Sequence, residues 1–395
     1  MMTTIETVIL YFEIIIMTVA IARVATSYNA LATDKSTYPR EILSIRKKEF
    51  LFLLVACIPM IVFSSLRFQT GADYEQYVRN FEYSIYDLPK MKAFQEPLYV
   101  LSNVVVYLFM GNRPQVWIAL MALITIVVMA LALFLTGKKI DYSLFFLLYG
   151  CFAYLHSFNY IRQMAACSFI LLGLVFLSQR KYVKFFIFIA VATMFHTSSM
   201  VFFLAIAFFL NKTGEYEKNE KKISLIMGGI ILLMFFIILF IPQIIEILPF
   251  LRKYVESYFQ NTELSLGIGW LIDIIPIGVG LVLRRKKILS QGHLGGILYY
   301  FSWLIIPFKL LGYYSYGAGR LFIPLGLLAI FIISLSQAEK DVKSIEVKNK
   351  RLQKWGVEEI RIDVKKLVIE GVFLIYFIYY FCIANNSGII PYTFI

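Results

Sequence analysis

Long uninterrupted runs of apolar residues alternate with short polar segments along almost the whole chain. Most of these runs approach or exceed about 18 residues, which is long enough for a helix to cross about 30 Å of hydrocarbon. Because the runs are continuous, they argue against a transmembrane β-barrel, in whose strands apolar and polar residues alternate. The pattern therefore predicts an all-α, polytopic integral membrane protein with about 10–11 transmembrane helices.

One of the predicted spans is interrupted by polar residues. The run 185–210 contains the sequence His196-Thr-Ser-Ser199, which predicts a broken, re-entrant helix pair with His196 at its turn. One long tilted span is the alternative. The predicted spans lie near residues 5–25, 50–66, 116–135, 144–155, 161–177, 185–210, 223–248, 267–283, 294–311, 321–335 and 367–384.

Lysine and arginine residues between the runs predict the orientation in the membrane, because such residues accumulate in short cytoplasmic loops. The basic clusters at 40–48, 180–184 and 284–287 are predicted to be cytoplasmic, together with a charged linker at 338–366 that we expect to be partly helical. The segment 67–115 is then an external loop. Within it, residues 98–109 have helical spacing but are too few to span, which predicts an interfacial helix on the outer leaflet.

Composition narrows the class of protein further. The 395 residues are 60% hydrophobic and 16% charged, which excludes a soluble globular domain, and residues 1–395 are treated as a single polytopic transmembrane domain. The net charge of +13 lies in short clusters between spans and does not indicate nucleic acid. The four cysteines fall inside predicted spans without paired spacing, and no His, Asp or Glu cluster has metal-ligand spacing, so no cofactor or metal is predicted.

Three arginines from separated parts of the chain fall at span ends on the predicted external side: Arg67, Arg162 and Arg320. A charge placed toward the bilayer centre costs roughly 2.5–3.5 kcal/mol on insertion scales, so such residues usually have a partner. Guanidinium groups bind phosphate oxygens bidentately and remain charged. We therefore expect the three side chains to face one external cavity that binds a multiply charged anion. Separate snorkelling of each arginine to the headgroups is the alternative.

Three further side chains at similar depth offer acid–base chemistry. Asp73 could accept the proton of an attacking hydroxyl group, or be a solvated loop aspartate. Glu96, before Pro97, could be the first-turn acid of the interfacial helix, where it is favourable with the helix dipole. His196 could act as a base or bind a sugar hydroxyl or phosphate, or be a hydrogen-bonded packing residue.

Five short stretches resemble the successive signatures of a known family. They are Leu66-Arg-Phe-Gln-Thr-Gly-Ala-Asp-Tyr-Glu-Gln-Tyr77, Glu96-Pro97, Asn159-Tyr-Ile-Arg-Gln-Met-Ala165, Phe195-His-Thr-Ser198 and Gly319-Arg-Leu321. Together and in this order they are similar to the EpsG family, Wzy-like polymerases of bacterial exopolysaccharide, capsule and O-antigen repeat units. The resemblance implies a GT-C-like membrane glycosyltransferase in the bacterial cytoplasmic (inner) membrane. Its site is on the external face, and its donor and acceptor are undecaprenyl-diphosphate-linked oligosaccharides.

The resemblance also implies roles for individual residues. Asp73 is the first choice of catalytic base and His196 the second, and the remaining matched residues are expected to bind substrate: Arg67, Tyr74, Glu96, Tyr160, Arg162, Gln163 and Arg320. Further expected partners are membrane lipid, a chain-length regulator and a flippase. The alternative functions are a lipid-linked oligosaccharide flippase or other transporter, and a glycan ligase that uses the same donor.

Overall fold

The computed structural model describes residues 2–33, 39–86, 96–137, 139–205, 220–240, 269–312, 319–335, 344–347 and 360–395. Within these ranges the chain forms fourteen α-helices, which confirms the predicted all-α membrane class. The helices are α1 (Thr4–Ala32), α2 (Pro39–Leu66), α3 (Tyr74–Tyr86), α4 (Pro97–Met110), α5 (Pro114–Leu135), α6 (Tyr142–Tyr149), α7 (Ile161–Ser178), α8 (Tyr182–Phe195), α9 (Glu220–Leu239), α10 (Gly269–Leu289), α11 (His293–Ser302), α12 (Ile305–Leu311), α13 (Phe322–Ile333) and α14 (Val364–Phe377).

Local sequence signals explain several helix starts. Thr3 and Glu6 form a capping box before α1, in which the Thr3 hydroxyl accepts from the Glu6 amide (3.3 Å) and Glu6 accepts from the Thr3 amide (2.7 Å). Proline is the first residue of both α4 and α5, where its missing N–H leaves no hydrogen bond unmade. In the described part of the chain, five helices are long and apolar enough to cross a membrane: α1, α2, α5, α7 and α14 with its continuation.

Helix α7 forms the axis of the bundle. It packs against α5 on one side and α8 on the other, while α1 packs along α2. Of the residues in α7, 83% are buried inside the protein, against 28–44% for the most apolar windows of the other four long helices. Its first turn therefore lies where several elements converge.

Regular α-helix is interrupted in two of the predicted spans. Helix α6 passes into a π-helical turn at Gly150–Tyr154 and a 3₁₀ segment at Leu155–Phe158 before α7 begins, and such turns often occur at functional sites. The second break is at His196, whose backbone is extended and which is followed by a 3₁₀ segment at Thr197–Leu204. The ring of Phe203 stacks on that of Phe186 at 5.8 Å, so this segment folds back along α8. The break at His196 is therefore present as far as residue 205, and the re-entrant path through the membrane stays a prediction.

Two segments differ from the sequence-based expectation. Helix α3 lies where only an external loop was predicted, because its polar sequence carries no spanning signal. The linker 338–366 contains two antiparallel strands that were not predicted, β1 (Ser344–Val347) and β2 (Ile360–Asp363), and its last three residues belong to α14, so the expectation that it is partly helical is neither confirmed nor contradicted by its described residues. The alternating apolar residues of Ser-Ile-Glu-Val and Ile-Arg-Ile-Asp explain the strands.

The basic segments collect at one end of the bundle. Four side-chain contacts hold this end together: Arg46 Nη2 to the Phe134 carbonyl (3.0 Å), Gln179 Nε2 to the Leu135 carbonyl (2.6 Å), Arg284 Nη2 to Asp363 Oδ2 (3.4 Å), and Lys366 Nζ to Asp141 Oδ2 (2.7 Å). The three clusters predicted to be cytoplasmic therefore share one end, and the predicted external residues lie at the other. Which end faces the cytoplasm stays a prediction.

Candidate functional site

Arg67, at the exit of α2, is buried with 2% of its surface exposed. Its Nη1 donates to the carbonyl oxygens of Phe158 (2.6 Å) and Thr70 (3.3 Å), and its guanidinium carbon lies 4.5 Å from the centre of the Phe158 ring. These contacts fasten the loop after α2 to the segment before α7. They correct the expectation that Arg67 faces the same open cavity as Arg162 and Arg320, because the side chain is buried and its Nη1 donates to backbone carbonyls.

The next residues of this loop pack against the start of α7 and the C-terminal segment. Gly71 has φ +105°, and a Cβ at this position would lie 2.7 Å from Asn159 Oδ1. The same Asn159 oxygen accepts from the Asp73 amide at 3.4 Å, and Asn159 Nδ2 donates to the Ser387 carbonyl at 2.7 Å. The Asp73 side chain is partly exposed, and within the described ranges no hydrogen bond to its carboxylate is present. Tyr74 is buried and its hydroxyl donates to Gln115, which gives it a packing environment.

Glu96, Arg162 and His196 come together where three helices begin or end, away from the basic end of the bundle. The Glu96 carboxylate is ion-paired with Arg162 through Oε2, and its Oε1 lies 2.9 Å from His196 Nδ1. The backbone amide of Thr197 also donates to Glu96 Oε1, at 3.3 Å. Arg162 lies over the Tyr99 ring, with 4.7 Å from its guanidinium carbon to the ring centre. Three residues separated by 66 and 34 positions in sequence thus form one cluster, which we call the Glu96 cluster.

Glu96 sits at the N-cap position of α4, but its side chain makes no capping hydrogen bond there. It is 4% exposed. Burial by itself raises the pKa of this carboxyl, but the hydrogen bond with His196 and the charge of Arg162 outweigh burial and lower the pKa from 4.5 to about 2. The carboxylate is therefore ionised throughout the physiological range. Glu96 therefore does not act as a first-turn acid of the interfacial helix: its carboxylate binds Arg162 and His196 instead.

The Glu96 cluster determines which nitrogen of the His196 imidazole carries a proton. A carboxylate can only accept, so the hydrogen bond places a proton on His196 Nδ1. With Nδ1 carrying the proton, Nε2 is the nitrogen that can serve as a lone-pair acceptor when the ring is neutral. A base whose second nitrogen is oriented by a carboxylate is the arrangement that activates hydroxyl groups in many transferases and hydrolases.

A cavity of about 430 Å³ lies beside the first turn of α7. Arg320 contributes to its wall, stacked over the Tyr160 ring at 4.8 Å, and the Arg320 carbonyl accepts from Gln163 Nε2 at 2.8 Å. Arg67 and Arg162 are not among its described lining residues, so the single three-arginine cavity is not formed. The described lining residues are Tyr160, Gly269, Trp270, Asp273, Lys309, Gly312, Gly319, Arg320, Phe322, Tyr380 and Asn386.

Two lining residues were missed by the sequence analysis. Asp273 of α10 and Lys309 of α12 form an ion pair, and the Tyr376 hydroxyl donates to Asp273 Oδ1 at 2.8 Å. Asp273 is 1% exposed. Both charges lie inside runs that were assigned as apolar spans, 267–283 and 294–311. The signal was present, because an ionisable residue inside a membrane span marks a functional site by default.

His156 was also overlooked, and it supports the wall of this cavity. It is buried, its ring stacks on Tyr160 at 5.8 Å, and it packs against Tyr380 (5.4 Å) and Phe322 (6.0 Å). All three rings line the cavity. Over the described ranges, no group of three or more His, Cys, Asp or Glu residues could hold a metal ion.

Comparison with known proteins gives one family. The family model described as the EpsG family matches residues 50–348, which is most of the chain and includes the Glu96 cluster, Asp273, Lys309 and Arg320. Neither a curated protein nor a solved structure matches the chain significantly.

Proposed function

The chain belongs to the EpsG family, and from that premise we propose that it is a glycosyltransferase that polymerises lipid-linked oligosaccharide repeat units. The product is an exopolysaccharide, capsule or O-antigen chain, made on the external face of the bacterial cytoplasmic membrane. Donor and acceptor are undecaprenyl-diphosphate-linked oligosaccharides. The family supports a polysaccharide-polymerase type of membrane protein, and the lipid carrier and the enzymatic class are part of this proposal.

In the proposed reaction a hydroxyl oxygen of the acceptor unit attacks the anomeric carbon of the donor chain. The new C–O bond forms as the bond from that carbon to the diphosphate breaks, and the electron pair leaves with undecaprenyl diphosphate. The hydroxyl proton passes to a base of the protein. The departing diphosphate needs positive charge nearby, because charge develops on it in the transition state.

His196 is the base that the geometry favours over Asp73. The observation that carries this choice is the Glu96 cluster: Nδ1 of His196 is held 2.9 Å from Glu96, so Nε2 is left to take the proton. Arg162 balances the charge of Glu96. Glu96 and Arg162 are positioning residues in this scheme.

The test is a polymerisation assay with purified protein and a defined undecaprenyl-diphosphate repeat unit. Wild type should give a ladder of products. His196→Gln should slow chain growth by about 100- to 10,000-fold, the usual contribution of general base catalysis. Glu96→Gln should leave substrate binding closer to normal than turnover, since it disturbs the base and not the substrate. Glu82→Gln, an exposed carboxylate of α3, is the matched control and should behave as wild type.

Other outcomes identify the alternatives. A normal ladder from His196→Gln would move the base to Asp73, to be checked with Asp73→Asn. Transfer of the glycan only onto a different acceptor would identify a ligase. Movement of the lipid-linked unit across a vesicle membrane with no ladder would identify a flippase.

A further inference from the structure

The cavity beside α7 has two cations that are held from one side by aromatic rings. Lys309 Nζ lies 4.0 Å from the centre of the Phe322 ring, and the Arg320 guanidinium carbon lies 4.8 Å from that of Tyr160. A ring face attracts a cation and shields it from lipid. Each cation is therefore supported by a ring and also lines the cavity.

The charges of the cavity favour an anionic ligand. Lys309 and Arg320 carry two positive charges and Asp273 carries one negative charge, so the described lining has a surplus of one positive charge. An ammonium group has three N–H donors, so Lys309 can keep Asp273 and also donate to a ligand oxygen. The Tyr376 hydroxyl helps to hold Asp273 in place.

A purely apolar groove lies next to these cations. It has a volume of about 230 Å³, and its wall includes Phe308 and Leu321, the immediate neighbours of Lys309 and Arg320. A second apolar groove of about 200 Å³ includes Leu310. The residues lining the first groove are Val201, Phe202, Leu204, Ile230, Met234, Phe301, Leu304, Phe308, Leu321 and Leu325.

We propose that the cavity and the first groove together bind one amphiphile, a lipid phosphate or diphosphate. Lys309 and Arg320 hold its phosphate oxygens, and its long apolar chain lies in the groove lined by Phe308 and Leu321. At 308–309 and at 320–321, one residue lines the groove and its chain neighbour lines the cavity, so the two spaces adjoin at both cations. This inference rests on the proposed function, for which it places the lipid carrier of the donor, and it assigns Asp273 and Lys309 to that site.

Binding of the carrier without sugar tests this site independently of catalysis. The probe is undecaprenyl diphosphate, added to purified protein and measured by native mass spectrometry and by retention on the immobilised protein. Arg320→Gln should weaken binding at least about 10-fold, because a charge-assisted hydrogen bond is lost. The double variant Asp273→Asn with Lys309→Gln should do the same, and it avoids an unpaired buried charge.

The groove is tested by filling it. Val201→Trp should weaken binding of undecaprenyl diphosphate at least about 10-fold, since the indole displaces several methylenes of the chain from the groove. Met200→Trp is the matched control, because Met200 is the preceding residue and is 60% exposed. It should bind as wild type. Thermal unfolding of all variants checks that they are folded.

Three further probes separate the possible sources of the ligand. Inorganic diphosphate and undecaprenol should each bind far more weakly than undecaprenyl diphosphate, and phosphatidylglycerol should compete poorly. If inorganic diphosphate bound as tightly as undecaprenyl diphosphate, the site would be one for free anions. If phosphatidylglycerol competed as well as undecaprenyl diphosphate, the groove would only contact lipid in general. Either result would overturn the proposal, as would unchanged binding in both charge variants. His196→Gln should bind the carrier as wild type does. Failure of the polymerase proposal would therefore appear in the polymerisation assay, and failure of this site would appear in the carrier-binding assay.

Discussion

At the residue scale, three arginines that look alike in sequence do three different things. Arg67 donates to backbone carbonyls, Arg162 pairs with Glu96, and Arg320 lines the cavity. A guanidinium group suits all three tasks because its fixed fork of N–H donors fits carbonyls, carboxylates and phosphates. The partner, not the residue type, decides the role.

Substitution of Arg67 should affect folding more than chemistry. Arg67→Lys keeps the charge, but an ammonium group cannot reproduce the planar guanidinium that lies over the Phe158 ring while its Nη1 donates to the carbonyls of Phe158 and Thr70. We expect a loss of about 1–3 kcal/mol of stability, as for other buried hydrogen-bonding groups. The measurement is thermal unfolding of the purified variant together with polymer made per folded molecule. A variant with unchanged stability and no polymer would instead place Arg67 in substrate binding.

The lowered pKa of Glu96 predicts a pH-dependent stability. A carboxyl with a pKa of about 2 in the folded protein and 4.5 in the unfolded chain stabilises the fold above pH 4.5. This contribution is lost as the pH falls toward 2. Its size is on the order of 3 kcal/mol, from 1.36 kcal/mol per pKa unit.

The measurement is thermal unfolding of wild type and Glu96→Gln between pH 7 and pH 3. The difference in stability should be constant near neutral pH and should shrink below about pH 4.5, because glutamine does not titrate. The same difference at pH 7 and pH 3 would mean that the carboxylate is not stabilised by Arg162 and His196.

At the element scale, the site is made where helices stop rather than along their lengths. The π and 3₁₀ turns before α7 and the extended residue His196 after α8 both replace regular helix. Interrupted helices leave backbone groups and polar side chains free for other partners, as the Thr197 amide shows with Glu96. The sequence predicted the break at His196 from its polar neighbours, but not the turn at 150–158, which has no polar interruption before His156.

The loop between α2 and α3 offers a test of this close packing. Gly71→Ala places a Cβ 2.7 Å from Asn159 Oδ1 and 3.3 Å from the Phe158 carbonyl, at a φ of +105° that side chains rarely adopt. Gly111→Ala is the matched control, because Gly111 also has positive φ (+73°) but has no described heavy atom within 4 Å of the added carbon.

We expect Gly111→Ala to cost about 1–3 kcal/mol from backbone strain alone, because φ 73° with ψ −162° is a conformation that essentially only glycine adopts. Gly71→Ala should cost about 1–3 kcal/mol more than the control, because it adds a steric clash and disturbs Asn159. The measurement is the unfolding midpoint of each variant in detergent. Equal losses would show that the loop does not need close contact with Asn159.

At the scale of the whole molecule, the chain separates a basic end from an end that holds the Glu96 cluster and the cavity. Short loops rich in lysine and arginine remain in the cytoplasm, so the cluster and the cavity are predicted to be external. This orientation is testable through the cysteines. Cys57, Cys151 and Cys167 are buried, and only Cys382 among the four is partly exposed.

In a background with Cys382→Ser, Glu75→Cys should react with a membrane-impermeant thiol reagent added to intact cells. Arg285→Cys should react only after the membrane is opened. Both native side chains are exposed, so access to the thiol depends on the side of the membrane. Modification of position 285 but not 75 in intact cells would reverse the topology and place the proposed site in the cytoplasm.

The sequence by itself determined the class of protein, the positions of the five long apolar helices, the basic end and the three members of the Glu96 cluster. Each of these depends on local properties: the length of an apolar run, loop charge, or a short motif. The tertiary structure alone decided that Arg162 pairs with Glu96 and that Arg67 turns to carbonyls. It also showed that Asp273 meets Lys309, since single charges are averaged out in an apolar window. Pairings of this kind depend on how each helix is rotated and where it breaks, and apolar residues facing lipid and those facing other helices look the same in sequence.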